Sequence, residues 1–348
     1  MPNVEAETLI DFCKAITAAA GASDDIAEIV SRSLVRTNLM GHDSHGVIRV
    51  KGYLNQARSG HLKPDARPQI ERKFGATAIV DCQQGFGQVG ARFGAELARD
   101  IGQEFGIGCV ALSNVNHIGR LGEYAEIIAQ AGLVGIIMTA GTFLQVSVTP
   151  YGGREPIFGT NPMAWAVPTD DAPFLLDFAT AAVANGKVLV AVSKGEPFPE
   201  GMLLDRDGNP TTDPNTFYDG GMLLPFGTYK GSGLALMMEI VPTLLAGFAP
   251  VSSPEFRSGN PTLMLALNVE VFTDRDRFNR LTDELLQRVK RVPPAVGFDE
   301  VLLPGEKEAK SVAERSEKGI PLPDSVWQDL TTLASDYQVA VPERGVHV

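Results

Sequence analysis

The sequence predicts an α/β (α+β) protein in which helices at both ends of the chain enclose a middle that mixes strands and helices. Three observations carry that expectation. Apolar residues recur at helical spacing through about the first sixty residues and again from Asp274 onward. Between them lie short apolar runs separated by turn residues, the pattern of buried strands. Hydrophobic residues make up 44% of the 348, against 21% charged, which suffices for a packed core and for two domains.

The first helix is expected over 4–20, with Leu9, Phe12, Cys13 and Ile16 on one face and Gly21 past its end. Ser23 reads as the N-cap of a second helix, with Asp24 and Asp25 where the helix dipole favours acids. Ile26, Ile29, Val30 and Leu34 face inward, and this helix closes near Gly41. A third helical segment covers 44–58. The character changes near Arg67. Strands are expected at 76–82, 108–112, 133–140, 163–167 and 174–178, and helices at 89–105, 119–131 and 184–194. Residues 195–225, rich in Gly, Pro, Asp and Thr, read as a long ordered loop. An apolar helix follows at 231–245, then a strand at 262–272 with Leu263, Leu265 and Leu267 alternating. The last helices are expected at 277–292, 310–319 and 324–339, the final one carrying Val326, Leu330, Leu333 and Tyr337. The division that follows joins 1–70 with 274–348 as a helical domain and leaves 71–273 as a mixed α/β domain.

The formal net charge of −12 repels phosphate backbones and anionic headgroups, so neither nucleic acid nor a membrane surface is an expected partner. Any anion site has to be built locally from Arg, Lys, His and backbone N–H groups. Three widely spaced cysteines, Cys13, Cys82 and Cys109, suggest neither a disulfide framework nor a metal pair and fit a reducing compartment. Residues 1–7 carry acids and no base, unlike a secretory signal, so the cytoplasm is expected. The uncharged stretch 131–153 reads as strand and loop, and Glu239 and Pro242 make 233–251 a core helix rather than a membrane span.

Gly85-Phe86-Gly87-Gln88-Val89-Gly90 is a literal dinucleotide fingerprint between a strand and a helix, with Asp100 and Glu104 further on. The neighbouring segments do not repeat a clean βαβ rhythm, and a turn that reverses the backbone before a helix explains the glycines as well.

The densest polar cluster runs from Gly41 to Arg49 and holds two of the five histidines. On a helix, His45 and Arg49 at i and i+4 point the same way. A guanidinium grips a carboxylate with two parallel hydrogen bonds, and an imidazole one turn away then reaches the neighbouring oxygen. A 2-oxo acid has that shape, and a histidine is the natural donor of the proton its C2 oxygen needs when hydride arrives. Ser44 orients the ring or binds substrate. A capping segment with solvent-facing histidines is the bland alternative, and a metal held by His42 and His45 lacks a completing ligand at familiar spacing. A second constellation, Ser113 to Gly122, follows a strand and opens a helix, placing backbone N–H groups for an anion and His117 for phosphate binding or acid/base work. Three further turns, Phe158 to Pro162, Asp177 to Lys187 and Pro225 to Gly231, are equally explained as structural.

In this order and at these spacings the motifs resemble the malate/L-lactate dehydrogenase family, which also includes sulfolactate and ureidoglycolate dehydrogenases and cyclic-imine reductases. The resemblance covers nearly the whole chain, from the His-x-x-His-Gly segment at His42 to Leu303-Pro304-Gly305-Glu306 and Lys318-Gly319-Ile320-Pro321-Leu322. Within the family it is similar to the hydroxycarboxylate dehydrogenase B type, in Gly60-His61-Leu62, Phe86-Gly87-Gln88-Val89 and 205–214. The resemblance implies a non-Rossmann, largely antiparallel sheet flanked by helices, NAD or NADP as cofactor, and a homodimer. The helical domain then serves substrate and dimer contact, and the mixed domain the cofactor. By motif match, His45 donates the proton with Ser44 assisting, and Arg49 holds the substrate carboxylate with Thr160 nearby. His117, Ile118, Gly119, Arg120, Leu121, Gly122, Asp177, Phe178, Ala179, Lys230, Pro304, Gly305 and Glu306 fall on cofactor segments. His117 is the acid/base in some members, so it stands beside His45 as a catalytic candidate.

The chain departs from the family pattern at three places. Tyr229 replaces a His, Ala181 replaces a Ser, and Lys187 stands where imine-reducing members carry an acid. The last departure favours a 2-oxo acid over a cyclic imine. The expected activity is hydride transfer between NAD(P)H and a small 2-oxo/2-hydroxy carboxylate, with piperideine- or pyrroline-2-carboxylate reduction as the alternative. A metal-dependent hydrolase and a non-catalytic binding protein are the readings from other classes.

Overall fold

The computed structural model describes residues 3–141 and 146–343. Within the uncharged stretch 131–153, residues 142–145 lie outside the described residues.

A short strand β1 (Asn3–Val4) leads into α1 (Ala6–Ala19) and α2 (Asp24–Leu39). Glu5 caps α1 by accepting the Thr8 N–H at 3.1 Å, and Leu9, Phe12, Cys13 and Ile16 are buried on its inner face. Ser23 does occupy the N-cap position of α2, but its hydroxyl accepts from Arg67 at 3.0 Å and makes no cap bond. The helix expected over 44–58 is broken. A 3₁₀ turn at Asp43–His45 is followed, after Gly46, by α3 (Arg49–Arg58). Gly46 is the reason: its backbone is extended, and a Cβ there would sit 2.1 Å from Asn38 Oδ1. That same oxygen accepts the Val47 N–H at 2.8 Å.

The middle of the chain supplies β2 (Gln69–Phe74), β3 (Thr77–Asp81), α4 (Gly87–Phe105), β4 (Ile107–Ser113), α5 (Gly122–Gln130), β5 (Leu133–Thr139), β6 (Pro162–Val167), β7 (Phe174–Ala179) and α6 (Asn185–Lys194). The expected loop at 195–225 instead contains a small sheet of β8 (Leu203–Leu204), β9 (Pro210–Thr211) and β10 (Met222–Leu223). Then come α7 (Tyr229–Leu245), β11 (Thr262–Asn268), α8 (Val269–Phe272), α9 (Arg275–Lys290), α10 (Glu306–Lys318), β12 (Ile320–Pro321) and α11 (Asp324–Asp336). The strand expected to reach 272 stops at Asn268 because its side chain accepts the Glu270 N–H at 3.1 Å and starts α8.

The main sheet has the order β2-β3-β4-β11-β5-β6-β7, and only β3 and β4 run parallel. The architecture is the largely antiparallel, helix-flanked one that the resemblance implies. β11 is central, pairing Met264 with both Val110 and Ile137, and Leu263, Met264 and Ala266 are buried. β2 escaped the sequence reading because all six of its residues are exposed, so an edge strand shows no apolar alternation.

The fingerprint-like glycines do open a single parallel β3-α4-β4 unit, yet they serve packing. A Cβ on Gly87 would lie 2.3 Å from the His117 carbonyl oxygen, and one on Gly90 would lie 2.5 Å from Cys82 Sγ. The start of α4 is therefore covered by the chain's own backbone, leaving no room for a pyrophosphate.

Two large apolar clusters hold most of the buried side chains among the described residues. One packs α1, α2 and α3 against α11, and β1 pairs antiparallel with β12, so both chain ends share it. The other lies between the sheet and the inner faces of α4 and α5. Each buried Leu or Ile contributes about 1.5–3 kcal/mol. α7 covers the opposite face of the sheet, with Glu239 buried and accepting from Asn161 Nδ2 at 2.8 Å and from the Val251 N–H at 3.0 Å. Its outer face exposes Leu236, Met237, Ile240, Leu244 and Leu245. Among the described residues no helix is long and apolar enough to cross a membrane.

Candidate active site

The break at Gly46 delivers His45 and Arg49 to one small cavity of about 170 Å³. The cavity is also lined by Tyr53 of α3, by His117 and Gly119 of the β4–α5 connection, by Leu121 and Thr160, and by Asn260 ahead of β11. Ala184, Asn185 and Gly186, at the start of α6, close another side. The shared direction of His45 and Arg49 thus holds, though not for the helical reason. His45 lies in the 3₁₀ turn, and Arg49 begins α3 and donates from Nε to the Ser44 carbonyl at 2.6 Å. Gly186 presses on Ser44, where a Cβ would come within 2.4 Å of the serine Cβ.

Each histidine has a defined neighbour at Nδ1. Ser44 Oγ lies 2.9 Å from that atom of His45, and the Tyr53 hydroxyl lies 2.7 Å from that atom of His117. The two rings stack with centroids 5.6 Å apart. Burial, then the charge of Arg49, then His42 push the His45 pKa down to about 3. Burial, Arg49 and His45 hold His117 well below its usual value. Both rings are neutral at pH 7 beside a guanidinium, so the cavity carries positive charge that an anion would offset. Thr160 is fixed through its carbonyl, which accepts from the Thr180 N–H and hydroxyl at 3.0 Å each.

A larger cleft of about 640 Å³ is lined by Arg120, Asp177, Pro304, Gly305, His42 and Lys307 among others. Helix α5 begins at Gly122, three residues later than expected, and the anion at its N-terminus is internal. Asp177 Oδ2 accepts the Gly122 N–H at 2.7 Å. Burial raises the Asp177 pKa, partly offset by Arg120. Arg120 is 5% exposed and pairs with Glu126 at 3.3 Å, while its Nε has no partner among the described residues. A guanidinium beside a carboxylate in the wall of this cleft fits a nucleotide cofactor, with phosphate for the one and ribose hydroxyls for the other.

The remaining sequence candidates fall elsewhere. Ile118 is buried, its N–H bound to Asn260 Oδ1 at 3.3 Å and its carbonyl accepting from Tyr124. Phe178 packs edge-on to Phe226 at 5.7 Å, and Ala179 pairs with Pro162 across the sheet. Glu306 binds Lys290 at 2.6 Å and the Leu303 N–H at 3.0 Å, shaping the loop that lines the cleft. Lys230 is exposed at the start of α7 and lines neither hollow. His42 turns toward Glu308 at 3.2 Å in the larger cleft, away from His45, so the two do not converge on a metal. Sequence reasoning missed Tyr53, Gln88 and Asn260. Tyr53 had a readable signal, one turn beyond Arg49, but nothing in the sequence links Asn260 to a turn some 140 residues earlier.

A largely antiparallel sheet with two neighbouring hollows sets this architecture apart from the doubly wound dinucleotide-binding fold. The family model of malate/L-lactate dehydrogenase matches residues 4–331, and the chain belongs to that family. Hydroxycarboxylate dehydrogenase B of Escherichia coli O157:H7 is 36% identical over 348 residues, covering 98% of this chain and 95% of that protein. The structure of sulfolactate dehydrogenase from Methanocaldococcus jannaschii superposes with a TM-score of 0.88 at 33% identity, covering 97% of this chain and 98% of that one. Delta1-piperideine-2-carboxylate reductase from Pseudomonas syringae gives a TM-score of 0.82 at 30% identity, covering 96% and 100%. The chain is thus a dehydrogenase of the hydroxy-acid type, and a nicotinamide cofactor accompanies the family.

Proposed function

We propose that this protein transfers a hydride between NADH or NADPH and C2 of a small 2-oxo/2-hydroxy carboxylic acid. The observation that carries this reading is the placement of Arg49 beside His45 in a cavity of about 170 Å³. That is the space of roughly five or six liquid waters, suited to a short acid. Arg49 holds the carboxylate, and Thr160 and Asn260 bound the rest of the molecule. Burial is the main cause that holds His45 neutral, and the bound carboxylate offsets the second, the Arg49 charge, which raises the basicity of the imidazole when substrate is present. His45 then protonates the C2 oxygen, and Ser44 Oγ accepts the Nδ1–H of the transient imidazolium. NAD(P)H, when bound, supplies the hydride. Arg120, Asp177 and the Pro304–Gly305 backbone hold it, with Glu306 keeping that loop in shape.

In this reading the helical part, 1–70 with 274–348, brings His45 and Arg49 to the substrate, while 71–273 carries Arg120 and Asp177 for the cofactor and, through α7, the dimer contact that the resemblance had assigned to the helical part. Free Cys13, Cys82 and Cys109 suit the cytoplasm. The apolar outer face of α7, where five large uncharged side chains are exposed along one helix, supports a homodimer. Sedimentation of wild type and of Ile240→Glu tests this: a dimer weakened by the substitution is expected, and a wild-type monomer sinks the idea.

The decisive experiment follows loss of nicotinamide absorbance with NADH and NADPH against pyruvate, oxaloacetate, phenylpyruvate and piperideine-2-carboxylate. Turnover of a 2-oxo acid is expected. Turnover of the cyclic imine alone selects the alternative on the same scaffold, and silence with cofactor still bound overturns the substrate class.

A further inference from the structure

A buried series of three side chains reaches the cavity from the side opposite Ser44. Gln88, in the first turn of α4 and 1% exposed, donates from Nε2 to the Tyr53 hydroxyl at 2.8 Å. Tyr53 is 5% exposed, is packed edge-on by Phe86 at 6.1 Å, and places its hydroxyl 2.7 Å from His117 Nδ1. A phenol has one hydrogen to give. Burial raises the Tyr53 pKa to about 12, so it keeps that hydrogen at neutral pH. With the Gln88 amide donating to the phenol oxygen, the phenolic hydrogen is directed at His117, and Nδ1 there has to accept it.

We infer that Gln88 and Tyr53 are positioning residues that hold His117 as the neutral tautomer protonated on Nε2, so that His117 offers the substrate a hydrogen bond while the transferable proton stays on His45. The tautomer follows from hydrogen-bond direction alone, and its use in catalysis rests on the function proposed above.

The contrast between the two rings makes the assignment. Beside Arg49, two stacked imidazoles do not both carry charge, and the partner at Nδ1 decides which one does. The Ser44 hydroxyl rotates, donating to a neutral His45 or accepting from its imidazolium. Tyr53 reverses only if the Gln88 amide turns over; Gln88 Oε1 is buried with no hydrogen-bond partner among the described residues, so the amide orientation is what the spectra read. Among the described residues, the other charged or titratable groups acting on the pair are Arg49 and His42. The arrangement resembles a general device in which an imidazole kept neutral polarises a carbonyl without surrendering its proton.

The test is nitrogen NMR of the ¹⁵N-histidine-labelled full chain, with the rings assigned by His45→Gln and His117→Gln. In the wild type, His117 Nδ1 is expected to show the unprotonated shift and Nε2 the protonated one. Tyr53→Phe is expected to give a mixture of tautomers. Gln88→Glu, whose carboxylate accepts from Tyr53, is expected to move the hydrogen to Nδ1. A wild-type His117 protonated on Nδ1, or identical shifts in all three proteins, overturns the inference. The wild-type spectrum decides even if a variant fails to fold. A kinetic readout accompanies it. Tyr53→Phe is expected to lower kcat about 10-fold while KM for the acid stays within about 2-fold, because a donor to the developing oxyanion is lost rather than a binding contact. The spectra need no substrate, so failure of the absorbance panel and failure of the tautomer are separately visible.

Discussion

The small cavity and the larger cleft sit side by side and are built on opposite electrostatic plans. In the cavity, burial strips the imidazoles of charge and leaves Arg49 as the cation against them. In the cleft, polar groups are matched with partners: His42 lies 3.2 Å from Glu308 and Arg120 lies 3.3 Å from Glu126. Glu300 is bound by Lys290 and Lys310, and those partners hold its pKa low, at about 2. An unbalanced site takes a small anion and is chemically altered by it. A balanced one holds a large ligand by shape and hydrogen bonds without changing its own ionisation.

Substitutions sharpen or break that contrast. The largest effect is expected at His45→Ala, a loss of about 10²–10⁴-fold in kcat with KM and cofactor affinity little changed. Near-normal turnover in that variant together with inactivity of His117→Ala would reverse the roles assigned to the two rings. Arg49→Ala comes next, raising KM for the acid about 10²-fold, because a charge-assisted pair is lost while the cofactor cleft is untouched. Steady-state kinetics with each substrate varied in turn separates the two. Asp177→Asn is expected to act on the other hollow alone, raising KM for the nicotinamide cofactor about 10-fold. An effect on the acid instead would merge the two sites.

The smallest effect is on stability. Both imidazoles have folded-state pKa values below the 6.5 of an exposed histidine, so between the two values the unfolded chain binds more protons. Their contribution is complete above about pH 6.5 and is lost as the pH falls through the lowered folded-state values, about 3 for His45. The melting temperature is therefore expected to drop on acidification below pH 6.5, and less steeply in His45→Gln. An equal slope in both proteins would show that His45 is not buried neutral.

The contrast was only half legible in the sequence. His45 and Arg49 share one dense motif and His117 and Thr160 belong to two others, and the structure brings all four to one cavity. The helical argument for the first two failed at Gly46, because the steric demand comes from Asn38 on the preceding helix and no local period records it. The glycines at the start of α4 were read as a backbone-reversing turn, and their close packing on His117 and Cys82 shows only in the structure. Gln88 among them was passed over, since its partner Tyr53 lies on another helix. The exposed strand β2 and the two-residue strands of the small sheet left no periodic trace at all. Long apolar elements with regular spacing were visible, whereas contacts made across the chain were not.

The pairing of β1 with β12 ties the birth of this protein to its last residues. Trp327, whose ring packs 5.7 Å from Phe12, and Leu330 complete the core that α1, α2 and α3 need. A ribosome adding about 5–20 residues per second leaves those first helices waiting for tens of seconds with Leu9, Phe12 and Ile16 uncovered. A nascent chain stalled short of Trp327 is then a natural client for chaperones and proteases, although every residue of its catalytic cavity has already been made.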